Sequence, residues 1–403
     1  MERQMRISDL LNDAKGKIVM LIFDGLGGVP HPDTGMTELE AAAIPHLDAI
    51  ASRSACGLMT MVAPGITPGS GPGHMSLFGY DPVATTVGRG VLEALGVGHH
   101  QAPDELSARG NFATMDPDGG IITDRRGGPP SQDRNGELVE RLNKMVKVPG
   151  FEVKFISGKE HRFVFVLKGP GLEDHLTETD PQVTGVPAHA VKALSSGSAR
   201  AAEAVKLAIE SINRALADMA PQNTVLLRGF GSLPKVEPFS VRYGLKAAAI
   251  ATYPMYRGIA SLVGMDVLDT GPTFPDQVAV LKDHWDSYDF FFIHVKGTDA
   301  AGHKGDFNAK AGVLTQCDRL VPEIESLDPT VFIVTGDHST PTALKDHSFH
   351  PVPVLIQAST AIPTGTAAFT EAECSRGILS VFPGRKLMQL ALAYAGRLKK
   401  FGA

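Results

Sequence analysis

The chain has 403 residues, of which 43 % are apolar and 20 % charged, and its formal net charge is −6 at pH 7. This composition is that of a globular protein and excludes a disordered chain or a coiled coil, and the length suits two domains. No apolar run reaches the roughly 20 residues that span a membrane. No basic block favours nucleic acid, so we expect a small-molecule partner instead. Three cysteines without CxxC spacing argue against a disulfide framework and favour a reducing cytoplasm.

Short apolar runs separated by helical patterns predict an α/β fold with a mostly parallel sheet covered by helices. Asp24, Asp299 and Asp337 each follow one of these runs closely. Because ligands collect at the carboxyl ends of parallel strands, these acids predict a functional site. We interpret the following runs as buried strands: Ile18–Phe23, Val225–Leu227, Phe290–Val295, Val331–Thr335 and Val352–Ile356.

The middle of the chain differs from the rest because it is rich in turn-forming residues. It contains two predicted strands, Phe151–Ile156 and Arg162–Leu167, and a predicted helix over about Ser195–Met219. The helix places Ala201, Val205, Ala208 and Ile212 at helical spacing. We therefore predict an α+β domain inserted into the first domain, with linkers near Gly98–Ala102 and Pro221–Asn223. The predicted domains are a core of residues 1–99 and 223–403 and an insertion of residues 100–222.

Carboxylates and imidazoles recur in patterns that are typical of a metal site. Asp299 and His303 are four residues apart, so both face the same side of a helical turn. Asp337 and His338 follow a buried strand, where the flanking residues favour a turn. With Asp24 and His347, these residues make three carboxylates and three histidines. Such mixed ligands suit divalent Mn, Zn, Co or Mg, and six of them suit two metals.

Two other histidines leave alternatives open. His350 could ligate a metal in place of His347. His294 lies within a strand run, and we prefer a hydrogen-bonded core histidine there to a ligand.

Ser70 is the candidate nucleophile, in the glycine-rich segment 64–82, PGITPGSGPGHMSLFGYDP. Glycines around it permit a tight turn that exposes the hydroxyl, and the following HMSLFGY is typical of a helix start, which favours a phosphoryl group. A serine needs activation, and coordination of its oxygen by a metal would suffice. The alternative is a flexible surface turn. His74 orients this loop or is a packing residue.

These motifs resemble the archaeal-type, cofactor-independent phosphoglycerate mutases of the alkaline phosphatase superfamily, over nearly the whole chain. The motifs that carry the resemblance are IFDGLGG, ITPGS with LFGYDP, GRGVLEALG, DRR at 124–126, EHR at 160–162, TETDP at 177–181, LLRGFG at 226–231, GLKAAAIA, HVKGTDAAGH, TGDHSTP and KDHS with PVP.

The resemblance implies an alkaline-phosphatase-like core with an inserted substrate-binding cap. It also implies interconversion of 2- and 3-phosphoglycerate in glycolysis and gluconeogenesis, without bisphosphoglycerate, through a phosphoserine at Ser70. Two divalent ions, manganese among the candidates, would be held by one set of Asp24, Ser70, Asp337 and His338 and another of Asp299, His303 and His347.

A mutase must retain glycerate while it reorients, which requires arginines for its carboxylate and a lid that excludes water. The candidates in or at the edge of the cap are Arg125, Arg126, Arg162 and Arg228, with ordinary surface ion pairs as the alternative. Asp124 and His161 would transfer protons.

Three departures from the family pattern affect substrate geometry. The serine is followed by Gly71 rather than by aspartate. Arg257, a further substrate-binding candidate, stands where members usually have lysine. Pro129 removes one arginine from the usual DRRAGR. Two other functions compete with the mutase: a metal-dependent phosphomonoester hydrolase or other small-alcohol phosphotransferase on the same core, and a non-catalytic binding protein.

Overall fold

The computed structural model describes residues 6–85, 87–116, 118, 120–363 and 365–402. They form two compact units. The residues up to 85 and those from Val236 onward form the first unit, and the residues from Val87 to Lys235 form the second. Within the described residues, no helix combines the length and apolar character that crossing a membrane requires.

Strands and helices are numbered in chain order. The strands are β1 Ile18–Phe23, β2 Ala55–Thr60, β3 Glu105–Met115, β4 Ile122–Asp124, β5 Glu152–Ser157, β6 Arg162–Lys168, β7 Thr224–Ser232, β8 Ala247–Ile250, β9 Asp266–Leu268, β10 Phe290–Val295, β11 Val331–Thr335, β12 Val352–Ala358 and β13 Val381–Pro383. The helices are α1 Glu38–Ala41, α2 Pro45–Ala51, α3 Ser70–Leu77, α4 Arg89–Gly96, α5 Gln132–Met145, α6 Ala199–Leu216, α7 Phe239–Tyr243, α8 Pro254–Leu262, α9 Phe274–Asp283, α10 Gly297–Lys304, α11 Phe307–Asp318, α12 Val321–Glu325, α13 Glu371–Ser375 and α14 Leu387–Tyr394.

An eight-stranded sheet organises the first unit, in the order β13-β2-β12-β11-β1-β10-β8-β9. The strands from β11 to β9 are parallel neighbours. β12 runs antiparallel to β11 and β2, and β13 is parallel to β2. The predicted α/β fold with a mostly parallel sheet is therefore confirmed.

The centre of this sheet sets the position of the functional residues. β1 is buried along its whole length, as an apolar strand covered on both faces must be. In the register, Phe23 of β1 is opposite Val295 of β10, and Ile22 is opposite Thr335 of β11. The loops that follow these three strands therefore leave the sheet side by side.

The predicted strands agree with the structure where the runs are wholly apolar. β1, β10 and β11 have the predicted bounds. The prediction that Val225–Leu227 belongs to the parallel sheet is wrong, because these residues lie in β7, which pairs antiparallel with β3 in the second unit. An apolar run reports that a strand is buried, but it does not report which sheet the strand joins.

The second unit is built on an antiparallel sheet of order β4-β3-β6-β5, with β7 beside β3. The helices α5 and α6 pack on one face, over a core that includes Phe112, Phe163 and Phe165. The predicted apolar face of α6 is confirmed, since Ala201, Val205, Ala208 and Ile212 are all buried.

The other face of this sheet meets α4, where Ala94 contacts Val164 and Val166. The approach is close at Gly90, because a Cβ there would lie 2.4 Å from the Cα of Ala108. Real Cβ atoms do not come so near, so a glycine at this position allows α4 to reach the sheet.

The predicted domain boundaries differ from those of the two units. The predicted linkers, Gly98–Ala102 and Pro221–Asn223, both lie inside the second unit. Asn223 shows why, since its Nδ2 donates to the carbonyl of Met115 in β3 at 2.8 Å and its Oδ1 accepts from the Met115 amide at 2.7 Å. The role of the second unit as a substrate-binding cap stays a prediction.

Gly90→Ala tests the packing of α4. We expect it to lower the free energy of unfolding by about 1–3 kcal/mol, because the new methyl group overpacks the contact with β3. Gly136→Ala is the matched control, since a methyl group there, also within a helix, would meet no atom within 4 Å. It should raise stability by about 0.5–1 kcal/mol. Urea unfolding followed by circular dichroism measures both, and equal effects would contradict the assignment.

Candidate metal centre

Asp24, Asp337 and His338 form one buried group at the carboxyl ends of β1 and β11. The Nε2 atom of His338 lies 3.3 Å from Oδ1 of Asp24 and 3.2 Å from Oδ2 of Asp337, and all three side chains are fully buried. The amide of Gly25 donates to Oδ1 of Asp337 at 3.1 Å, which ties the two loops together.

Asp299, His338 and His347 form a second group, so His338 belongs to both. In each group the potential ligand atoms lie within 4.8 Å of one another. Nε2 of His347 and Nε2 of His303 each lie 3.5 Å from Oδ1 of Asp299. Asp299 and His303 are both on α10, as their spacing predicted.

Hydrogen bonds at Nδ1 fix which nitrogen of each histidine is available to a metal. Nδ1 of His347 lies 3.0 Å from the carbonyl of Pro68, and Nδ1 of His303 lies 3.2 Å from that of Lys345. A carbonyl can only accept, so in both rings Nδ1 carries the hydrogen and Nε2 keeps a lone pair. Metal-binding histidines usually donate their other ring N–H to a carbonyl or carboxylate oxygen, and this hydrogen bond fixes the orientation of the ring.

The hydroxyl of Thr340 fixes Nδ1 of His338 as the nitrogen that carries the hydrogen, so Nε2 is again the one available to a metal. It donates to Oδ1 of Asp299 at 2.8 Å and lies 3.0 Å from Nδ1 of His338, from which it accepts. One hydroxyl group therefore orients a residue of each group. Sequence reasoning missed Thr340, which stood in TGDHSTP only as part of a turn.

The donor set fits divalent cations. Oδ1 of Asp24 and Oδ2 of Asp337 are buried and have no hydrogen-bond partner among the described residues. Atoms with lone pairs that face one another at 3.2–3.5 Å repel unless a cation lies between them. Carboxylate oxygen with imidazole nitrogen suits Mn, Zn, Co or Mg.

Asp24 of the first group and Asp299 of the second remain ionised despite their burial. Burial opposes ionisation of Asp24, but His294 and Lys296 outweigh it and hold its pKa well below the ordinary value. Burial also opposes ionisation of Asp299, and His347 and Lys296 together lower its pKa.

Lys296 is a site residue that sequence reasoning missed. Its Nζ lies 2.9 Å from Oδ2 of Asp24, 2.5 Å from Oδ2 of Asp299 and 2.9 Å from the hydroxyl of Tyr256. Burial disfavours its charge, but the two carboxylates outweigh burial and raise its pKa. Its place directly after β10 is the same signal that identified Asp24 after β1.

Ser70 is the first residue of α3, with Gly69 as N-cap, so the helix begins earlier than predicted. Its Oγ lies 3.2 Å from Nε2 of His338 and accepts from the hydroxyl of Tyr256 at 3.5 Å. Gly73 allows this approach, since a Cβ there would lie 2.3 Å from the carbonyl of Asp337.

The remaining histidines of the region have distinct surroundings. Nδ1 of His74 lies 2.8 Å from the carbonyl of Ser70 and 3.2 Å from Oδ2 of Asp337, which supports an orienting role. His294 is buried as predicted, but among the described residues neither ring nitrogen is hydrogen-bonded, and Nε2 lies 3.2 Å from Oδ2 of Asp24. Nδ1 of His350 meets the hydroxyl of Ser348 at 3.0 Å.

Asp124 and two of the predicted arginines are engaged within the second unit. The oxygens of Asp124 accept from the amides of Arg126 and Gly128 at 2.8 and 2.7 Å, and the first of these bonds contributes most to lowering its pKa. Arg125 makes a bidentate contact with Asp180 at 2.8 Å. Arg228 lies 3.6 Å from Asp180 and donates to Glu178 at 3.3 Å.

The other predicted substrate residues differ in their settings. His161 is buried, and its burial, with the nearby Arg162 and Arg126, lowers its pKa to about 4, so it is neutral at pH 7. Arg126 is exposed and Arg162 half-buried. Arg257 lies in the first unit, where its guanidinium contacts Asp269 at 2.9 Å.

The fold and the two acid–histidine groups define an α/β enzyme that can hold divalent metals. Comparison with known proteins identifies the family. The family model described as "2,3-bisphosphoglycerate-independent phosphoglycerate mutase" matches residues 51–223. A protein of Thermosipho melanesiensis named "Probable 2,3-bisphosphoglycerate-independent phosphoglycerate mutase" is 46 % identical over all of both chains. One of the same name from Thermus thermophilus is 46 % identical over 98 % of each.

Two solved structures are also similar. The cofactor-independent phosphoglycerate mutase of Thermoplasma acidophilum has a TM-score of 0.70 and 29 % identity, over 94 % of this chain and 100 % of its own. The PH0037 protein of Pyrococcus horikoshii has a TM-score of 0.82 and 28 % identity, over 97 % of this chain and 100 % of its own. The chain belongs to the family of 2,3-bisphosphoglycerate-independent phosphoglycerate mutases, which are isomerases.

Thr340→Val tests the shared hydroxyl. We expect about 10- to 100-fold weaker binding of Mn²⁺, because Asp299 and His338 lose the group that orients them. Thr340→Ser keeps the hydroxyl and should bind nearly as the parent does. Isothermal titration calorimetry of the metal-free proteins measures both affinities, and an unchanged affinity in the valine variant would refute the role.

His347→Ala and His350→Ala decide which histidine ligates. Dialysis against Mn²⁺ followed by metal analysis should find two ions per chain in the parent and in His350→Ala. We expect a loss of one ion in His347→Ala, since Nε2 of His347 lies 3.5 Å from Asp299, whereas Nδ1 of His350 meets the hydroxyl of Ser348. The reverse result would assign the site to His350.

Proposed function

We propose that this enzyme interconverts 2-phosphoglycerate and 3-phosphoglycerate through a phosphoserine at Ser70, with two divalent metal ions and without bisphosphoglycerate. The observation that carries the proposal is the position of Ser70. Its Oγ lies 3.2 Å from Nε2 of His338, the residue that both acid–histidine groups share. Membership of the mutase family supports the choice of substrate.

The candidate ligands of one ion are Asp24, Ser70, Asp337 and His338, and those of the other are Asp299, His303 and His347. When bound, these ions would lower the pKa of the serine hydroxyl and neutralise charge on the phosphoryl group. Mn, Mg, Co and Zn all suit the donors. We also propose a role in glycolysis and gluconeogenesis, in the cytoplasm.

The chain's own residues supply the rest of the phosphoryl site. Oγ of Ser70 attacks phosphorus and the P–O bond to the substrate breaks, so that in net terms the proton of the Ser70 hydroxyl passes to the substrate oxygen that leaves. The N-terminus of α3 directs free amides and the positive end of the helix dipole to the phosphoserine. The ammonium of Lys296 compensates Asp24 and Asp299 throughout.

The second half of the reaction returns the phosphoryl group to the other hydroxyl of glycerate. A neutral His161 can accept the proton of the attacking hydroxyl, and an anion bound near it would raise its pKa from about 4. Asp124 is less suited to proton transfer, because both of its oxygens already accept backbone hydrogen bonds. In this proposal Asp124 shapes the turn that carries Arg125 and Arg126.

Ser70→Ala tests the nucleophile. An enolase-coupled assay with 3-phosphoglycerate and Mn²⁺, without bisphosphoglycerate, should show a loss of at least about 1,000-fold in kcat. Ser76→Ala is the matched control, a buried serine on the same helix that faces neither group, and it should keep its activity. Mass spectrometry of the parent after turnover should find phosphate on Ser70.

Each rival function predicts a different outcome in this assay. Release of free phosphate without isomerisation would identify a hydrolase. Phosphorylation of another small alcohol would identify a different phosphotransferase. Failure of the parent to bind metal or turn over any phosphoglycerate would leave the binding protein.

A further inference from the structure

The hydroxyl of Tyr256 is a buried hydrogen-bond donor beside Ser70, to which the proposed mechanism gives no role. Tyr256 lies on α8 and is fully buried. Its hydroxyl lies 3.5 Å from Oγ of Ser70 and accepts from Nζ of Lys296 at 2.9 Å. All three residues belong to the first unit, so these contacts are internal to that unit.

The ring of Tyr256 is held by two imidazoles. It stacks on His294 of β10, with the ring centroids 3.7 Å apart and the planes 26° apart. The ring of His74 on α3 lies 4.9 Å away. A tyrosine side chain has only two torsions, so fixing the ring also fixes the position of the hydroxyl.

The neighbours of the Tyr256 hydroxyl direct its hydrogen to Ser70. An ammonium can only donate, so the phenol oxygen accepts from Lys296 and its own hydrogen turns elsewhere. Asp24 also interacts with this hydroxyl, but its Oδ2 already accepts from Lys296 at 2.9 Å. Nε2 of His338 has a lone pair and lies 3.2 Å from Oγ of Ser70. The serine therefore donates to His338, and its oxygen accepts from Tyr256.

Negative charge on Oγ of Ser70 would strengthen this hydrogen bond. Charge develops on Oγ when the serine attacks phosphorus, and again when the phosphoryl group leaves it. A hydroxyl that donates to a charged oxygen does so at about 2.5–2.7 Å and with about twice the strength of a neutral pair. The 3.5 Å contact of the resting protein can therefore shorten during the reaction. An interaction that is stronger in the transition state than in the ground state accelerates a reaction.

We infer that Tyr256 is a further catalytic residue, whose hydroxyl donates to Oγ of Ser70 and stabilises the negative charge on this oxygen in both half-reactions. The inference rests on the proposed function, in which Ser70 is the nucleophile. The hydrogen stays on Tyr256 throughout, so the balance of protons between serine and substrate is unchanged.

Tyr256→Phe removes the hydroxyl and keeps the ring. We expect kcat to fall about 10- to 100-fold in both directions, as loss of a hydrogen bond to a charged group does, with KM for 3-phosphoglycerate unchanged. Lys296 keeps Asp24 and Asp299 as partners, so the variant leaves no ammonium unpaired. A higher KM with unchanged kcat would place the hydroxyl on the substrate and overturn the inference.

Tyr243→Phe is the matched control. Tyr243 is also buried, and its hydroxyl accepts from Nε of Arg242 at 3.1 Å. It donates to the carbonyl of Phe78 at 2.9 Å, at the opposite end of α3 from Ser70. This variant therefore loses a comparable hydroxyl without touching the nucleophile, and it should keep the kcat of the parent. An equal loss in both variants would show a general effect on α3 and overturn the inference.

Binding of Mn²⁺ separates Ser70 from Asp24 as the acceptor. Isothermal titration calorimetry of the metal-free proteins should find the same affinity in Tyr256→Phe as in the parent, because the hydroxyl supplies no ligand atom. Weaker binding, together with recovery of kcat at saturating Mn²⁺, would show that the hydroxyl serves Asp24 and would overturn the inference.

Failure of this inference can be distinguished from failure of the proposed function. If the parent isomerises phosphoglycerate and carries phosphate on Ser70, while Tyr256→Phe equals it in kcat, only the role of Tyr256 is refuted. If the parent does not isomerise phosphoglycerate, the proposed function itself fails and the inference with it.

Discussion

The repulsion between buried carboxylates is the constraint on which this site depends. Asp24 and Asp299 direct their Oδ2 atoms to the same ammonium, that of Lys296, at 2.9 and 2.5 Å. His338 contacts both Asp24 and Asp337. Because β1, β10 and β11 are parallel and end side by side, the three carboxylates that follow them lie close together. Gathering like charges in a fold is unfavourable unless cations accompany them. The chain supplies one cation, the ammonium of Lys296, and the carboxylate and imidazole atoms of the two groups suit divalent metal cations as well.

A second buried charge holds the frame of the site. Lys310 is fully buried and donates to the carbonyls of Gly27 and Thr340 at 3.1 and 2.9 Å, while Oε2 of Glu38 lies 3.6 Å away. Glu38 in turn accepts from the amide of Thr342 at 2.7 Å. This lysine holds the carbonyl of Thr340 directly, and it also holds the carbonyl of Gly27, which accepts from the Thr340 amide at 3.1 Å. It therefore fixes the backbone of the residue whose hydroxyl orients Asp299 and His338. Its burial is costly, and its benefit is the fixed position of one loop.

The sequence predicts those parts of the molecule that are determined locally. Wholly apolar runs identified β1, β10 and β11, and the four-residue spacing identified Asp299 and His303 as neighbours on α10. The parts that were missed depend on contacts between distant segments. The start of α3 at Ser70 is hidden by its glycines and proline, which are poor helix formers. The sharing of His338 between two groups follows from how the loops meet, which no motif records.

The arginines also show that a sequence motif does not record contacts between distant segments. Family motifs pointed to Arg125, yet this guanidinium is already held by Asp180 through two hydrogen bonds. Arg109 belongs to no motif quoted for the family, and among the described residues it lacks such a partner. A motif therefore identifies that a guanidinium is present, but only the surrounding contacts show whether the fold has already neutralised it. The same holds for the carboxylates of the first unit, of which Asp24 and Asp299 are compensated by Lys296.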